Sequence, residues 1–388
     1  MEMHLKRLPL IAILVLPLIL LALLAPYAYA FSIGQAASLV IGQTSFTSGS
    51  FGTTAVKLDR PLRGLAIEDG KGFTQPVTEG SLWVADSFNN RVLMYKAPFS
   101  TGEAASLVIG QTSFTSGTPG DTATTLNTPD GVAFDASGNL WVADYGNNRV
   151  LMYKPPFSTG EAASFVIGQP SFTTKICATT ATRLCEPSGI AFDADGNLWI
   201  ADILNNRVLM YAPPFIAASL VIGQASFTTF ACATTSTGLC GPLEVAFDAS
   251  GNLWVTDFFN NRVLMYKAPF STGEAASLVI GQASFTTAIA GTSAKRLREP
   301  EGVAFDGKGN LWVADSDNNR VLMYSPSPVT GLFSTFEAAS LVIGQGSFTT
   351  GTAGTTATTL GFPTVVAFDG LGNLWVADAL NNRLLMYS

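Results

Sequence analysis

The chain has 388 residues, of which 47% are hydrophobic and only 13% charged, and its formal net charge is −7. A charged fraction about half the globular average of roughly 25% implies a surface of small uncharged polar residues. The acidic balance excludes a nucleic-acid partner, whose phosphates need a basic face. The one histidine, His4, lies in a segment expected to be removed. Ser-His-Asp and Cys-His catalysis and histidine-ligated zinc are therefore excluded for the mature chain.

Residues 1–30 read as a secretory signal peptide. Lys6 and Arg7 give a positive start, Leu8 to Leu24 is an apolar run broken only by Pro9 and Pro17, and Ala28-Tyr29-Ala30 is a small-x-small cleavage signature. The run is near the lower limit for a membrane span, so retention as an anchor stays open as an alternative. Either reading exports residues 31–388, secreted or at the cell surface, with no membrane span after cleavage. Removing Glu2, Lys6 and Arg7 takes 21 basic and 28 acidic residues to 19 and 27, a mature charge of −8.

Beyond the signal the chain is one repeat. The string Leu-Trp-(Val/Ile)-(Ala/Thr)-Asp-x-x-Asn-Asn-Arg-(Val/Leu)-Leu-Met-Tyr occurs six times, around Trp83, Trp141, Trp199, Trp254, Trp312 and Trp375. The tryptophans are 58, 58, 55, 58 and 63 residues apart. A fixed period of this size marks a repeat array. In the second copy four strands are predicted, at about Gly131 to Asp135, Leu140 to Asp144, Arg149 to Tyr153 and Ser164 to Gln169. The turns between the first three are rich in Gly, Asn and Asp, which tolerate a left-handed backbone. Leu140 and Val142 fall on one face and Trp141 and Ala143 on the other, so the strand is apolar on both sides. Such strands belong to sheets sandwiched between other sheets. Six such sheets make an all-β fold, a six-bladed β-propeller with four antiparallel strands per blade.

The last copy stops at Tyr387-Ser388, after its third strand, and the mature N-terminus carries the missing piece, Ala36-Ala37-Ser38-Leu39-Val40-Ile41-Gly42-Gln43. The N-terminal strand is therefore expected to complete the last blade and close the ring into a single domain, removing the exposed edges.

The unit Pro-x-Gly-Val-Ala-Phe-Asp-x-x-Gly-Asn-Leu-Trp-Val-Ala-Asp-x-x-Asn-Asn-Arg-Val resembles the NHL repeat, whose members form β-propellers, and it covers essentially all of residues 31–388. The first copy departs most: Ile67-Glu68 replaces Phe-Asp, and Asp69 to Gly80 lengthens the turn before Leu82. The family includes RNA-binding and protein-binding modules, extracellular sensors and a histidine-ligated zinc lyase. This chain lacks the histidines for the last and the basic face for the first, so the resemblance implies the fold more narrowly than the function.

Four groups of residues are candidates. The cysteines form two Cys-x7-Cys pairs, Cys177 with Cys185 and Cys232 with Cys240. That spacing is a poor match to zinc, and in an exported chain local disulfides are expected. The acidic residues of the Asp-x-x-Asn-Asn-Arg turns recur in every blade, as do the tryptophans, and are read as scaffold. The variable x-x residues are the candidate binding set: Phe88, Tyr145, Ile203, Leu204, Phe258, Phe259 and Asp317. They share one face with the long loops, where binding usually resides on a rigid scaffold.

The fourth group is the carboxylates near the central channel, Glu244, Glu301 and Asp130, accompanied by Arg63, Glu186 and Glu299. They supply the alternative, a calcium-dependent hydrolase of lactonase type. The preferred reading is a monomeric, exported, non-catalytic propeller that binds a protein or small extracellular ligand on its loop face, without a cofactor.

Overall fold

The structure, a computed structural model, describes residues 31–68 and 80–388. The expected signal segment and most of the lengthened turn of the first repeat lie outside the described residues. Strand character follows from the β-branched, apolar letters of the repeat. Blade two runs Pro129–Phe134, Leu140–Asp144, Arg149–Tyr153 and Phe165–Ile167, each strand antiparallel to the next. Six four-stranded sheets of this form make the ring of a six-bladed β-propeller. Helical content among the described residues is limited to one 3-10 turn per blade, at the Asp-x-x-Asn-Asn-Arg motif. No helix among them is long and apolar enough to cross a membrane.

Ring closure follows the expected route. Leu39–Ile41 pairs antiparallel with Arg383–Tyr387, matching Leu39 to Met386, Val40 to Leu385 and Ile41 to Leu384. Leu107–Ile109 has the same register on the third strand of blade one. The innermost strand of blade two starts two residues earlier than the periodicity predicts, because Pro129 pairs with Asp144 across an irregularity that ends at Val132.

The core lies between blades. Trp83, Ala85 and Val92 of blade one cluster with Val132, Leu140, Val142, Leu151 and Tyr153 of blade two. Trp83 meets Phe134 and Phe157 edge-on, with ring centroids 5.8 and 4.9 Å apart. Each indole N–H must be satisfied when buried, and the acid ending the first strand does this: Trp141 Nε1 donates to Asp135 Oδ2 at 2.9 Å. In blade one Glu68 performs the same task for Trp83 at 3.0 Å, so the departure of that copy is conservative in chemistry. Both disulfides form, Cys177–Cys185 and Cys232–Cys240, and each closes the loop leading into the next inner strand.

Candidate ligand-binding face

The Asp-x-x-Asn-Asn-Arg turn builds one face of the ring. In blade two Asp144 Oδ2 accepts from Arg149 Nε at 2.7 Å and Asn147 Nδ2 at 2.8 Å, while Oδ1 accepts the Asn127 N–H at 2.7 Å. Arg149 Nη2 donates to the carbonyls of Thr122 and Thr125, and Nη1 to that of Phe172 in the loop beyond the fourth strand. The same pair, with both side chains fully buried, recurs in all six blades. These carboxylates hold loops and are closed to solvent, in keeping with the scaffold reading.

The second Asn of each motif has a different task. It adopts the left-handed conformation, and its Oδ1 accepts the N–H of a residue in the following blade, as Asn148 does from Glu186 at 2.8 Å. The residues gripped in this way are Arg60, Thr128, Glu186, Gly241, Glu299 and Phe362. Each precedes a proline, which in five of the six blades starts the innermost strand and in blade one, as Pro61, lies just ahead of it. Each also has positive φ, between 45° and 63°, although only one is glycine. A left-handed non-glycine residue costs roughly 1–2 kcal/mol and persists only where its surroundings impose it. An invariant clamp thus presents five side chains of four kinds, Arg, Thr, Glu and Phe, at the start of the inner strands.

The turn residues lean on this inner ring or on the residue just before it. The Arg60 guanidinium lies 4.9 Å from the Phe88 ring centroid, Tyr145 O–H donates to Glu186 Oε2 at 2.5 Å, and Asp317 pairs with Arg298 at 2.6 Å. A side chain on Gly241 would come within 2.6 Å of Phe259. In blades one, three, four and six the second residue of the turn pair points outward. Phe88, Leu204 and Phe259 are consequently exposed, whereas Ile203 is buried and Tyr145, Phe258 and Asp317 are half-buried. For Ile203 this corrects the expectation of presentation at the turn tip: the first position of the pair points into the fold. Leu380 is exposed in blade six, and the loops of this face add Phe51, Ile176, Phe230 and Ile289. Among the described residues, eight of the thirteen exposed large apolar residues therefore gather on one side.

Sequence reasoning missed the inner ring as a set. Its signal was the variable residue before each proline, with Gly241 marking the backbone conformation required.

At the channel the inner strands crowd together. A Cβ on Gly189 would lie 2.6 Å from the Leu243 carbonyl oxygen and 2.5 Å from Glu244 Oε1. Arg63, supplied by blade one, bridges two candidate carboxylates: its Nη1 is 2.7 Å from Asp130 Oδ2 and its Nε is 3.0 Å from Glu301 Oε2. Ser188 also donates to Asp130 Oδ2, at 2.8 Å. Burial pushes the Glu301 carboxyl up to about 7 against the opposing pull of Arg63. Burial also holds Glu244, reached by the Val245 N–H at 3.2 Å, well above the usual carboxylate range.

These residues do not fit a calcium ion. The Arg63 guanidinium already occupies oxygens of both Asp130 and Glu301, and burial disfavours the charged form of Glu244. Among the described residues no three His, Cys, Asp or Glu side chains are grouped to hold a metal.

Two family models match the chain: the SMP-30/Gluconolactonase/LRE-like region over residues 50–177 and the NHL repeat over residues 297–324. No curated protein sequence matches it. Among solved structures, a Bacteroides thetaiotaomicron protein of unknown function is similar at TM-score 0.56 and 16% identity, over 91% of this chain and 75% of that one. An auxiliary nutrient binding protein from the same organism is similar at 0.52 and 12%, over 91% and 76%. A candidate gluconolactonase is similar at 0.51 and 13%, over 90% and 96%. At such identities the likeness is one of fold.

Proposed function

Starting from a chain that is an NHL-repeat β-propeller, we propose that it is a non-catalytic binding module, exported, and that it takes a protein or small extracellular ligand on the face built by the Asp-x-x-Asn-Asn-Arg turns. One observation carries the reading. Six identical clamps hold left-handed residues of five types, Arg, Thr, Glu, Gly and Phe, beside exposed Phe88, Leu204, Phe259 and Leu380. Strain held by an invariant scaffold to display a variable set is the arrangement of a recognition surface. The two disulfides are compatible with an extracellular location.

The test is a glycan and peptide array probed with the wild-type chain and with Leu204→Ser/Phe259→Ser. The reading expects hits that the variant weakens at least tenfold, with a melting temperature within about 2 °C of wild type, since both side chains are largely solvated. Hits that bind the variant equally well would refute it.

The match to the SMP-30/Gluconolactonase/LRE-like region keeps a second reading in view, a calcium-dependent lactonase-type hydrolase using Glu244, Glu301 and Asp130. The Arg63 bridge weighs against it.

A further inference from the structure

Each blade's fourth strand is a sheet edge, and five of the six edges are covered. In every case the middle valine's carbonyl accepts an N–H from the segment that follows around the ring: Val40 from Gly102, Val108 from Gly160, Val221 from Gly273, Val279 from Phe336 and Val342 from Gly34, at 2.9–3.1 Å. In three of them a Ser-Thr-Gly-Glu loop also lends a threonine hydroxyl to the valine N–H, as Thr159 does for Val108 at 3.4 Å. An edge strand left bare is a template for another chain, and these loops remove the template.

Blade two is the exception. The loop that should cover it comes from blade three, where the tryptophan spacing falls from 58 to 55. Phe157-Ser158-Thr159-Gly160-Glu161-Ala162 in one loop becomes Phe215-Ile216-Ala217 in the other, so the Ser-Thr-Gly is missing. The consequence is local. The five other valines are completely buried, whereas Val166 and Phe165 are only partly buried. No such bond from the shortened loop reaches Val166 among the described residues. Two cavities of about 440 and 310 Å³ share Phe165 and Phe215, and Val166 lines the smaller. The larger is lined by Trp141, Met152 and Phe192, and Ile216 stands exposed at the rim of the smaller.

We propose that this gap is a peptide-docking site, distinct from the loop face, at which a segment of another polypeptide carrying a Ser/Thr-Gly turn followed by an acidic residue pairs with Val166. The sister edges state the chemistry of the occupant: an oxygen that accepts the Val166 N–H and an N–H that donates to its carbonyl. Lys154 at the larger cavity and Arg183 at the smaller favour an acidic residue where the sister loops carry glutamate. Val166 lines the smaller cavity, with exposed Ile216 beside it, which suits a narrow segment better than the edge strand of a second copy. Addition of a chain to an exposed edge, with apolar pockets beside it, is an established mode of peptide recognition.

The probe is the acetylated, amidated peptide Ser-Thr-Gly-Glu-Ala, at millimolar concentration because it is short. Hydrogen exchange of the segment spanning residues 165–167 should slow at least fivefold with peptide present. A variant with Ser-Thr-Gly inserted between Phe215 and Ile216 carries its own cover. It should show that protection without peptide, and should bind the peptide at least tenfold more weakly. Unchanged exchange at 165–167 in the wild-type chain would overturn the proposal, as would equal peptide binding by the inserted variant. Concentration-dependent dimerisation lost on insertion would also overturn it, by assigning the edge to a second copy.

Discussion

Arg63→Met removes the one cation between Asp130 and Glu301, leaving both carboxylates and Glu244 in a buried cluster. Asp130 and Glu301 are at most 2% exposed, at 2.7 and 3.0 Å from the guanidinium. Breaking a buried pair strands an uncompensated charge and costs about 3–5 kcal/mol. Unfolding entropy near 2.1 cal/mol/K per residue gives roughly 0.75 kcal/mol/K for a chain of this size, so the melting temperature should fall by about 4–7 °C.

The loss should depend on pH. A carboxyl whose native pKa lies above its unfolded value stabilises most below the unfolded value and loses that contribution as pH rises through the native one. Glu301 is already raised to about 7, and without Arg63 it rises further. The penalty should therefore be largest at pH 8 and shrink towards pH 5, where Glu301 carries its proton. Calorimetry or circular dichroism melts from pH 5 to 8 measure it, and adding Asp130→Asn and Glu301→Gln should restore most of the lost stability. A penalty below about 1 kcal/mol at pH 8, or one independent of pH, would refute the bridge as the element that holds the channel carboxylates.

Deleting residues 36–43 should expose the third strand of blade six, abolish cooperative unfolding and promote aggregation; an unchanged melt would contradict closure by the N-terminal strand. Reducing both disulfides should cost roughly 2–3 kcal/mol each without unfolding the ring, read by melts with and without reductant. Glu244→Gln should raise stability at pH 8 and change little at pH 5. The native carboxyl is held above its ordinary value by burial, so its charged form is a liability that grows with pH; destabilisation at pH 8 would show the charge to be required.

The architecture was legible because it is written six times. The tryptophan period, the displaced Ala36–Gln43 strand and the two cysteine loops each report a local or repeated constraint. The channel bridge was not legible, since Arg63 and Glu301 are 238 residues apart. Arg63 reaches the channel because blade one has Pro61-Leu62-Arg63-Gly64 where blade two has Pro129-Asp130-Gly131. The inner ring was hidden for a different reason. Arginine, glutamate and phenylalanine disfavour positive φ, so propensity argues against the conformation that the neighbouring asparagines impose. Ile203 was misplaced because a turn read only as variable says nothing about which of its two side chains faces outward. The uncovered edge at Val166 was present in the sequence as the 55-residue spacing, but its consequence needed the sister loops in view.

The central claim is that Arg63 occupies the channel carboxylates in place of a metal ion, which favours the turn face as the binding surface. Thermal melts in millimolar calcium and in chelator test it most directly. A calcium ion bound to the folded form at a hundred times its Kd would add about 2.7 kcal/mol of stability. The account predicts superimposable melts for the wild-type chain. A calcium-dependent rise in melting temperature that disappears in Glu301→Gln would contradict it.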